Sequence, residues 1–341
     1  MSRLNSPIPY WGSKRAAAPL VNQALGAGLT RYIEPCGGGL SVLLSAERPG
    51  TMEVANDLDG QVVNFFRALK YAPDEVAYYA DFPASQTEYA ACFHWLQQQP
   101  EIADQLAVDL DYYDAKLAGR WAWYISSNIS LNRIDYTRTP TKPRLSSLPG
   151  GMGVSAQQKR IRIPDTSGRM GVNRYKSEYP DGLPVSGERL LDSFYDLAKR
   201  LEQVYIYCGD WSKLTSPTCL GLAPTNLTRG HVSGVFLDPP YATVGRKGLY
   251  NQDSWTLAQD IRAWAVEASE RWGKYIRLVV AGYEGDYNDE PWPDGWTNHA
   301  WSTDGTRMGG QSTAQHKRIE TLWCSPFCFP DLNSTQQPTL W

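Results

Sequence analysis

The sequence of 341 residues lacks the features typical of membrane, secreted and metal-binding proteins. No apolar segment approaches the roughly 20 residues that a transmembrane helix needs. The six cysteines lie scattered without CxxC spacing, and the N-terminal stretch MSRLNSPIPYWGSK lacks the apolar core of a signal peptide. We therefore expect a cytoplasmic protein, long enough for two domains or for one domain with a large insertion.

The chain also has little net charge, because 33 basic residues stand against 36 acidic ones. Their distribution is uneven. Residues 71–114 contain nine acids and no Lys or Arg, whereas residues 120–176, the basic run, contain eleven bases and two acids. The basic run is rich in Ser, Thr, Asn and Gly and includes five aromatic residues, Trp121, Trp123, Tyr124, Tyr136 and Tyr175. This composition suits phosphate contacts combined with base stacking, although a solvated loop is the simpler alternative.

Apolar strands and amphipathic helices alternate on both sides of the basic run. The strands are indicated by RYIEP, MEVAND, VYIYCGDW, GVFLDPPY and YIRLVVAGYE. The alternation predicts an α/β fold with a parallel, doubly wound, Rossmann-like sheet. We expect residues 1–70 and 190–341 to form the sheet domain, and residues 71–189 to form an inserted, largely helical and loop-rich domain. The acidic part of this insertion predicts a helical body.

Polar residues stand at the ends of four predicted strands. They are Glu34 with the glycines 37–39, Asp57, Asp210 and Asp238. Ligands of doubly wound sheets bind beyond the carboxyl ends of the strands, so these residues predict a binding site. The glycines do not form a GxGxxG fingerprint and could simply turn the chain. Asp57 could accept both hydroxyls of a ribose, or it could cap the following helix.

Five motifs, in this order along the chain, resemble those of the Dam-type DNA adenine methyltransferases. The motifs are PIPYWGSKR, YIEPCGGGLSVLL, VANDLDGQVVNFF, YCGDW and DPPY. The resemblance covers roughly residues 7–70 and 190–326. It implies transfer of a methyl group from S-adenosylmethionine to N6 of adenine in double-stranded DNA, and thus a site-specific, adenine-specific DNA methyltransferase. We expect no membrane contact and no obligate protein partner.

The resemblance also implies a set of residues that bind S-adenosylmethionine. The first motif would cap the cofactor, Asp57 would hold its ribose, and Asp210 with Trp211 would lie at its adenine ring. The full set is Tyr10, Trp11, Lys14, Glu34, Pro35, Gly37, Gly38, Gly39, Asp57, Asp210, Trp211 and Asp238. The glycine loop departs from the family, which usually has an aromatic residue and a glycine where this chain has Cys36 and Leu40. Leu40 would point either into the pocket or into the helix interface.

The DPPY motif, residues 238–241, has the groups that the chemistry requires. An exocyclic adenine amine is a poor nucleophile because its lone pair is delocalised into the ring. Asp238 and the carbonyl of Pro239 can accept its two N–H groups, which favours a pyramidal nitrogen and suits the positive charge that develops there. Pro239 and Pro240 restrict two φ angles, and Tyr241 offers a ring on which the base can stack. These four residues need neither a covalent enzyme intermediate nor a metal.

The target base must leave the duplex stack before its N6 can be reached, so the enzyme needs a surface that binds DNA. We expect the basic run to supply it, through Arg133, Arg138, Lys142, Arg144, Lys159, Arg160, Arg162, Arg169, Arg174 and Lys176. No nuclease-like group of acids and lysine stands out, which favours a solitary modification enzyme in a bacterium or a phage-infected cell.

Two other interpretations stay open at this stage. A cytosine-N4 or RNA amino-methyltransferase would use the same strand-end chemistry. A relative that binds DNA but has lost turnover would keep the same fold, and the unusual Cys36 and Leu40 are the reason to consider it.

Overall fold

The computed structural model describes residues 4–10, 13–46, 50–81, 86–127, 160–164, 170–172, 187–239, 257–283, 287, 291–301 and 320–329. The strands in this part of the chain are β1 (Leu29–Glu34), β2 (Gly50–Asp57), β3 (Arg160–Pro164), β4 (Met170–Val172), β5 (Val204–Cys208), β6 (Ser233–Leu237), β7 (Ile276–Tyr283), β8 (Thr297–Trp301) and β9 (Glu320–Cys324). The α-helices are α1 (Ala18–Leu25), α2 (Ser41–Ser45), α3 (Gly60–Tyr71), α4 (Pro73–Ala80), α5 (Gln86–Gln97), α6 (Ala103–Val108), α7 (Ala115–Ser127), α8 (Gly187–Leu201), α9 (Pro224–Leu227) and α10 (Leu257–Trp272).

Seven of the described strands form one mostly parallel sheet in the order β5-β2-β1-β6-β7-β9-β8. Among these seven strands, β9 alone runs in the direction opposite to the other six. The arrangement is a doubly wound sheet, and the direction of winding reverses between β1 and β6. The predicted α/β, Rossmann-like fold is thereby confirmed. β3 and β4 pair with each other as a separate antiparallel ribbon.

Helices cover both faces of this sheet. β6 is buried along its whole length, as expected for a strand between two helical layers. Successive residues of β7 belong to the hydrophobic clusters on opposite faces of the sheet. Val279 lies in the cluster that includes α1, α2 and α3, whereas Val280 lies in the cluster that includes α10. The carboxyl ends of the parallel strands therefore remain as the edge at which a ligand can approach.

The acidic segment forms helices, as predicted. Acidic residues stand in the first turns of α4, α5 and α6, where the helix dipole favours negative charge. α4 and α7 pack against each other, α7 also packs against α3, and α4 against α8. These helices therefore share a core with the helices that flank the sheet. The domain boundary near residue 70 stays a prediction.

Three aromatic residues of the basic run are core residues. Trp121, Trp123 and Tyr124 lie in α7 and are at most 4% exposed. The ring of Tyr124 stacks on that of Tyr89, with 4.7 Å between the centroids. The expectation that these three rings stack on DNA bases is therefore wrong, because the apolar core already occupies their faces. Tyr136 and Tyr175 lie outside the described residues.

A buried arginine fixes α3 against the edge of the sheet. Arg67 is 1% exposed, and its guanidinium donates hydrogen bonds of 2.8–3.0 Å to the carbonyls of Ile206, Leu106 and Asp109. These carbonyls belong to β5, to α6 and to the residue that follows α6. One side chain thus satisfies backbone groups of three segments, a role that the amphipathic pattern of α3 did not reveal.

Leu40, which precedes α2, adopts a left-handed backbone conformation, with φ 50° and ψ 31°. No other non-glycine residue of the described chain has a positive φ. This conformation costs a non-glycine residue roughly 1–2 kcal/mol. The side chain is 2% exposed and lies in the core cluster with residues of α2 and α3. Leu40 thus points into the helix interface, and its burial offsets the backbone strain.

We expect Leu40→Gly to destabilise the protein less than Leu40→Ala does, by about 1 kcal/mol. Both substitutions remove a buried leucine side chain, which costs about 2–5 kcal/mol for Leu→Ala, but only glycine relieves the left-handed conformation. Ordinary helical positions show the opposite order, since glycine is there about 1 kcal/mol worse than alanine. Urea unfolding of each variant measures the difference.

The matched control is Leu44, which is 1% exposed inside α2. Leu44→Ala should be more stable than Leu44→Gly. The same order of stability at both positions would contradict the strain at Leu40.

Candidate active site

The four strand-end acids lie on adjacent strands. In the order of the sheet, Asp210 follows β5, Asp57 ends β2, Glu34 ends β1 and Asp238 follows β6. All four strands are parallel, so their carboxyl ends meet at one edge. The site includes the point between β1 and β6 at which the winding reverses, which is where doubly wound sheets bind their ligands.

Asn56 ties three of these strand ends together. Its amide nitrogen, Nδ2, donates to the carbonyls of Pro35 and Gly209 at 2.8 Å each. The backbone carbonyl of Asn56 accepts a hydrogen bond from the N–H of Gly37 at 2.7 Å. Asn56 is only 4% exposed. We did not identify this residue from the sequence, although an amide at the end of an apolar strand, directly before Asp57, was the available signal.

The glycine loop after β1 lies directly beneath Tyr10. Gly38 has φ +49°, and a Cβ atom built on it would lie 2.7 Å from Cε1 of the Tyr10 ring. A Cβ atom on Gly39 would lie 3.0 Å from Oγ of Ser6. A side chain at Gly38 would therefore clash with the Tyr10 ring, and a side chain at Gly39 would crowd Ser6, because the N-terminal segment packs closely on the loop. The structure thus brings together the first two motifs of the sequence.

Two backbone amides orient the Asp57 carboxylate. The N–H of Gly38 donates to its Oδ2 at 2.7 Å, and the N–H of Asp59 donates to its Oδ1 at 2.9 Å. The cap of α3 is Asp59, whose Oδ1 accepts from the N–H of Gln61 at 2.9 Å. Asp59, and not Asp57, is therefore the N-cap of α3. A carboxylate has about four acceptor positions, so Asp57 can accept further donors.

Burial changes the ionisation of two of these acids. Desolvation raises the pKa of Asp57, while its backbone hydrogen bonds oppose the shift. Desolvation, with the neighbouring Asp57 charge second, raises the pKa of Asp59 to about 7. An anion at Asp57 is thus costly in the protein by itself and would gain from donors that a ligand brings.

Asp210 and Trp211 are held in place after β5. Oδ1 of Asp210 accepts from the N–H of Ser212 at 2.9 Å and from its hydroxyl at 2.5 Å, which caps a short 3-10 helix over Trp211–Leu214. The Trp211 ring packs edge-on against Trp264 of α10, with centroids 5.9 Å apart. The aromatic ring is therefore fixed beside the strand end.

Lys14 joins the N-terminal motif to the end of β6. Its ammonium lies 3.0 Å from Oδ1 of Asp238 and 3.8 Å from Oε2 of Glu320, and its side chain is 2% exposed. Glu320 begins β9, and because β9 is antiparallel to β7 this residue stands at the same edge as Asp238. The hydroxyl of Tyr283, at the end of β7, donates to Oε1 of Glu320 at 3.0 Å. Neither Glu320 nor Tyr283 was expected at the site.

Glu34 is buried at 1% exposure and accepts a hydrogen bond from the Tyr32 hydroxyl. Desolvation raises the pKa of Glu34 to about 8, while the hydrogen bond from Tyr32 and the amide of Leu43 oppose the shift. Glu34 therefore carries a proton at neutral pH for most of the time. It is a neutral neighbour of Asp238 rather than a further negative charge.

Cys36 lies among three of the strand-end acids. Desolvation and then the charges of Asp57, Asp238 and Asp210 raise the pKa of the Cys36 thiol. The thiol is thus kept protonated and is a poor nucleophile. Its electrostatic contact with all three acids shows that they surround one small region.

The structure leaves some predicted site residues untested. Trp11, Pro240 and Tyr241 lie outside the described residues, as do the predicted DNA-binding residues Arg133, Arg138, Lys142, Arg144, Lys159, Arg169, Arg174 and Lys176. Arg160 and Arg162 lie in β3, where only the backbone is described. Pro35 and Pro239 lie at their strand ends, and Pro239 is buried. Over the described residues, no group of His, Cys, Asp and Glu is arranged to hold a metal ion.

The helices of the described chain include none long and apolar enough to cross a membrane. A search of curated proteins finds no match. Residues 10–115, however, match the model of the D12 class N6 adenine-specific DNA methyltransferase family. This match begins at Tyr10, runs through the glycine loop and Asp57, and ends at the start of α7. This match supports the resemblance to Dam-type enzymes: residues 10–115 are similar to the D12 class N6 adenine-specific DNA methyltransferases, a family that indicates methylation of adenine in DNA.

Proposed function

We propose that this domain transfers the methyl group of S-adenosylmethionine to N6 of an adenine that has been flipped out of a specific duplex sequence. The observation that supports this most strongly is the row of Asp210, Asp57, Glu34 and Asp238 on four adjacent parallel strands, with Asp57 oriented by the glycine loop. Such an edge would offer separate places for a nucleoside-containing cofactor and for a second base.

The cofactor side of the site comprises the ends of β5, β2 and β1. Asp57 would accept the two ribose hydroxyls, because its oxygens are already oriented by the amides of Gly38 and Asp59. Asp210 and the fixed Trp211 would hold the adenine ring. Tyr10, packed on Gly38, would close the site from the N-terminal side. S-adenosylmethionine, when bound, supplies the electrophilic methyl group.

The substrate side comprises the end of β6. Asp238 and the Pro239 carbonyl would accept the two N–H groups of the adenine amine, and Tyr241 would stack on the base. Acceptors held in place before the reaction stabilise the charge that develops on N6 without reorganising in the transition state. Lys14, 3.0 Å away, keeps the Asp238 carboxylate paired until the amine arrives.

The inserted domain, residues 71–189, would recognise DNA. Its described helices α4–α7 are packed on the sheet domain, and α7 contains the first residues of the basic run. The ten basic residues of this run from Arg133 to Lys176 would contact phosphates and base edges, as expected from the sequence. This arrangement would place the charge needed for duplex binding next to a rigid helical support.

Expression of the protein in a host without DNA methylation, followed by sequencing of modified bases, tests the proposal as a whole. N6-methyladenine should appear within one short sequence context. Methylation of cytosine N4 alone would support the alternative amino-methyltransferase, and absence of any modified base would contradict the proposed function.

The cofactor site predicts a specific effect of Asp57→Ala. The substitution should raise the dissociation constant for S-adenosylmethionine by about 10–100-fold, because charge-assisted hydrogen bonds contribute roughly 1.5–3 kcal/mol each. Asp59→Ala is the matched control. It removes the cap of α3, which costs about 1 kcal/mol of stability, but should leave the dissociation constant within a few fold. Calorimetry that shows unchanged affinity for Asp57→Ala would remove Asp57 from the cofactor site.

The catalytic role of Asp238 predicts that Asp238→Asn abolishes methyl transfer. The loss of a negative acceptor aimed at developing charge should lower the single-turnover rate by about a hundredfold or more. Cofactor affinity should stay within a few fold, because Asp238 acts on the base amine. Turnover close to that of the unsubstituted enzyme would exclude Asp238 as the acceptor.

A further inference from the structure

The ion pair of Lys14 and Asp238 raises an electrostatic problem for the reaction. Methyl transfer places positive charge on N6 of adenine next to Asp238. The Lys14 ammonium lies 3.0 Å from the same carboxylate and is 2% exposed, so water screens its charge poorly. Lys14 and Asp238 alone have a formal charge of zero and would give little net stabilisation to that developing charge.

Glu320 changes this balance. Its Oε2 lies 3.8 Å from the Lys14 ammonium, so the group of Lys14, Asp238 and Glu320 has a formal charge of −1. Glu34 does not substitute for Glu320, because its pKa of about 8 leaves it largely protonated at neutral pH. Among the described residues, Glu320 is therefore an acid that adds negative charge to the ion pair of Lys14 and Asp238.

The fold holds Glu320 in this position. It is the first residue of β9, paired in register with Tyr283 of β7 and with Trp301 of β8. The Tyr283 hydroxyl donates to Oε1 at 3.0 Å, which leaves Oε2 directed to Lys14. Oε1 of Glu320 thus accepts the hydrogen bond that orients the carboxylate, and Oε2 faces the Lys14 ammonium.

We propose that Glu320 is a positioning residue for methyl transfer, which acts through Lys14 to keep the acceptor group around Asp238 negatively charged. This inference rests on the proposed function, since it assigns Asp238 to the adenine amine. A unit charge roughly 8–10 Å from the developing charge, at an effective dielectric constant of about 20, changes a rate by about 10–30-fold.

Glu320→Gln tests the inference because it removes the charge and keeps the shape. Single-turnover methyl transfer at saturating DNA and cofactor should slow by about 10–30-fold, while the dissociation constant for S-adenosylmethionine stays within about twofold. Glu320→Asp should recover part of the rate. The matched control is Glu270→Gln on the exposed face of α10, which should change neither quantity. A Glu320→Gln rate within twofold of the unsubstituted enzyme would overturn the inference.

Unfolding measurements test the Lys14 contact without reference to activity. Glu320→Gln should destabilise the protein when Lys14 is present and have little effect in Lys14→Met, with a coupling of at least about threefold in the unfolding equilibrium constant. Zero coupling would overturn the inference even in an active enzyme. If the protein folds and shows this coupling but methylates no DNA, the proposed function fails instead.

Tyr283→Phe provides a second route should Glu320→Gln fold poorly. It removes only the hydroxyl that orients Glu320, and it should lower the rate by a smaller factor, about 2–5-fold, again with little change in cofactor affinity. An unchanged rate in this variant, together with full activity in Glu320→Asp, would also contradict the role of Glu320.

Discussion

The common direction of β5, β2, β1 and β6 is the constraint on which the rest of the site depends. Parallel strands direct all their final carbonyls and the residues that follow them to one edge. That edge must satisfy its backbone groups within a confined space, and Asn56 does so by joining the loops after β1 and β5. The acids that reach the same edge are consequently crowded, partly desolvated and close to one another.

Crowded acids can persist only if each has a compensating partner. Asp57 has two backbone amides, Glu34 has a hydroxyl donor and takes up a proton, and Asp238 has the Lys14 ammonium. These three solutions give the three acids different surroundings at one edge. The difference suits the division that we propose: a fixed anion for hydroxyl groups, a neutral wall, and an anion beside an amine that becomes positive.

The N-terminal segment shows how a short motif can serve both halves of the site. Tyr10 packs on the glycine loop, and Lys14, four residues later, reaches the end of β6. α1 starts shortly after Lys14, and its packing against β6 and β7 fixes the segment that carries both residues. The close approach of Tyr10 excludes any side chain at Gly38, which explains the glycine physically.

Much of this architecture could be predicted from the sequence, because apolar periodicity and strand-end acids are local patterns. The alternating elements, the parallel sheet and the places of Glu34, Asp57, Asp210 and Asp238 all followed from such patterns. The family match over residues 10–115 supports the class of enzyme that the ordered motifs indicated.

The sequence by itself determined which elements form and which acids end the strands. Only the tertiary structure decided how those acids are compensated, because the partners come from distant segments: Lys14 from the N-terminus, and Glu320 from an antiparallel strand near the other end of the described chain. The burial of Trp121, Trp123 and Tyr124 was likewise decided by packing, since a basic neighbourhood in the sequence does not show which side of α7 meets the core. Leu40 shows the same limit, because its left-handed backbone is stable only where a core is available for its side chain.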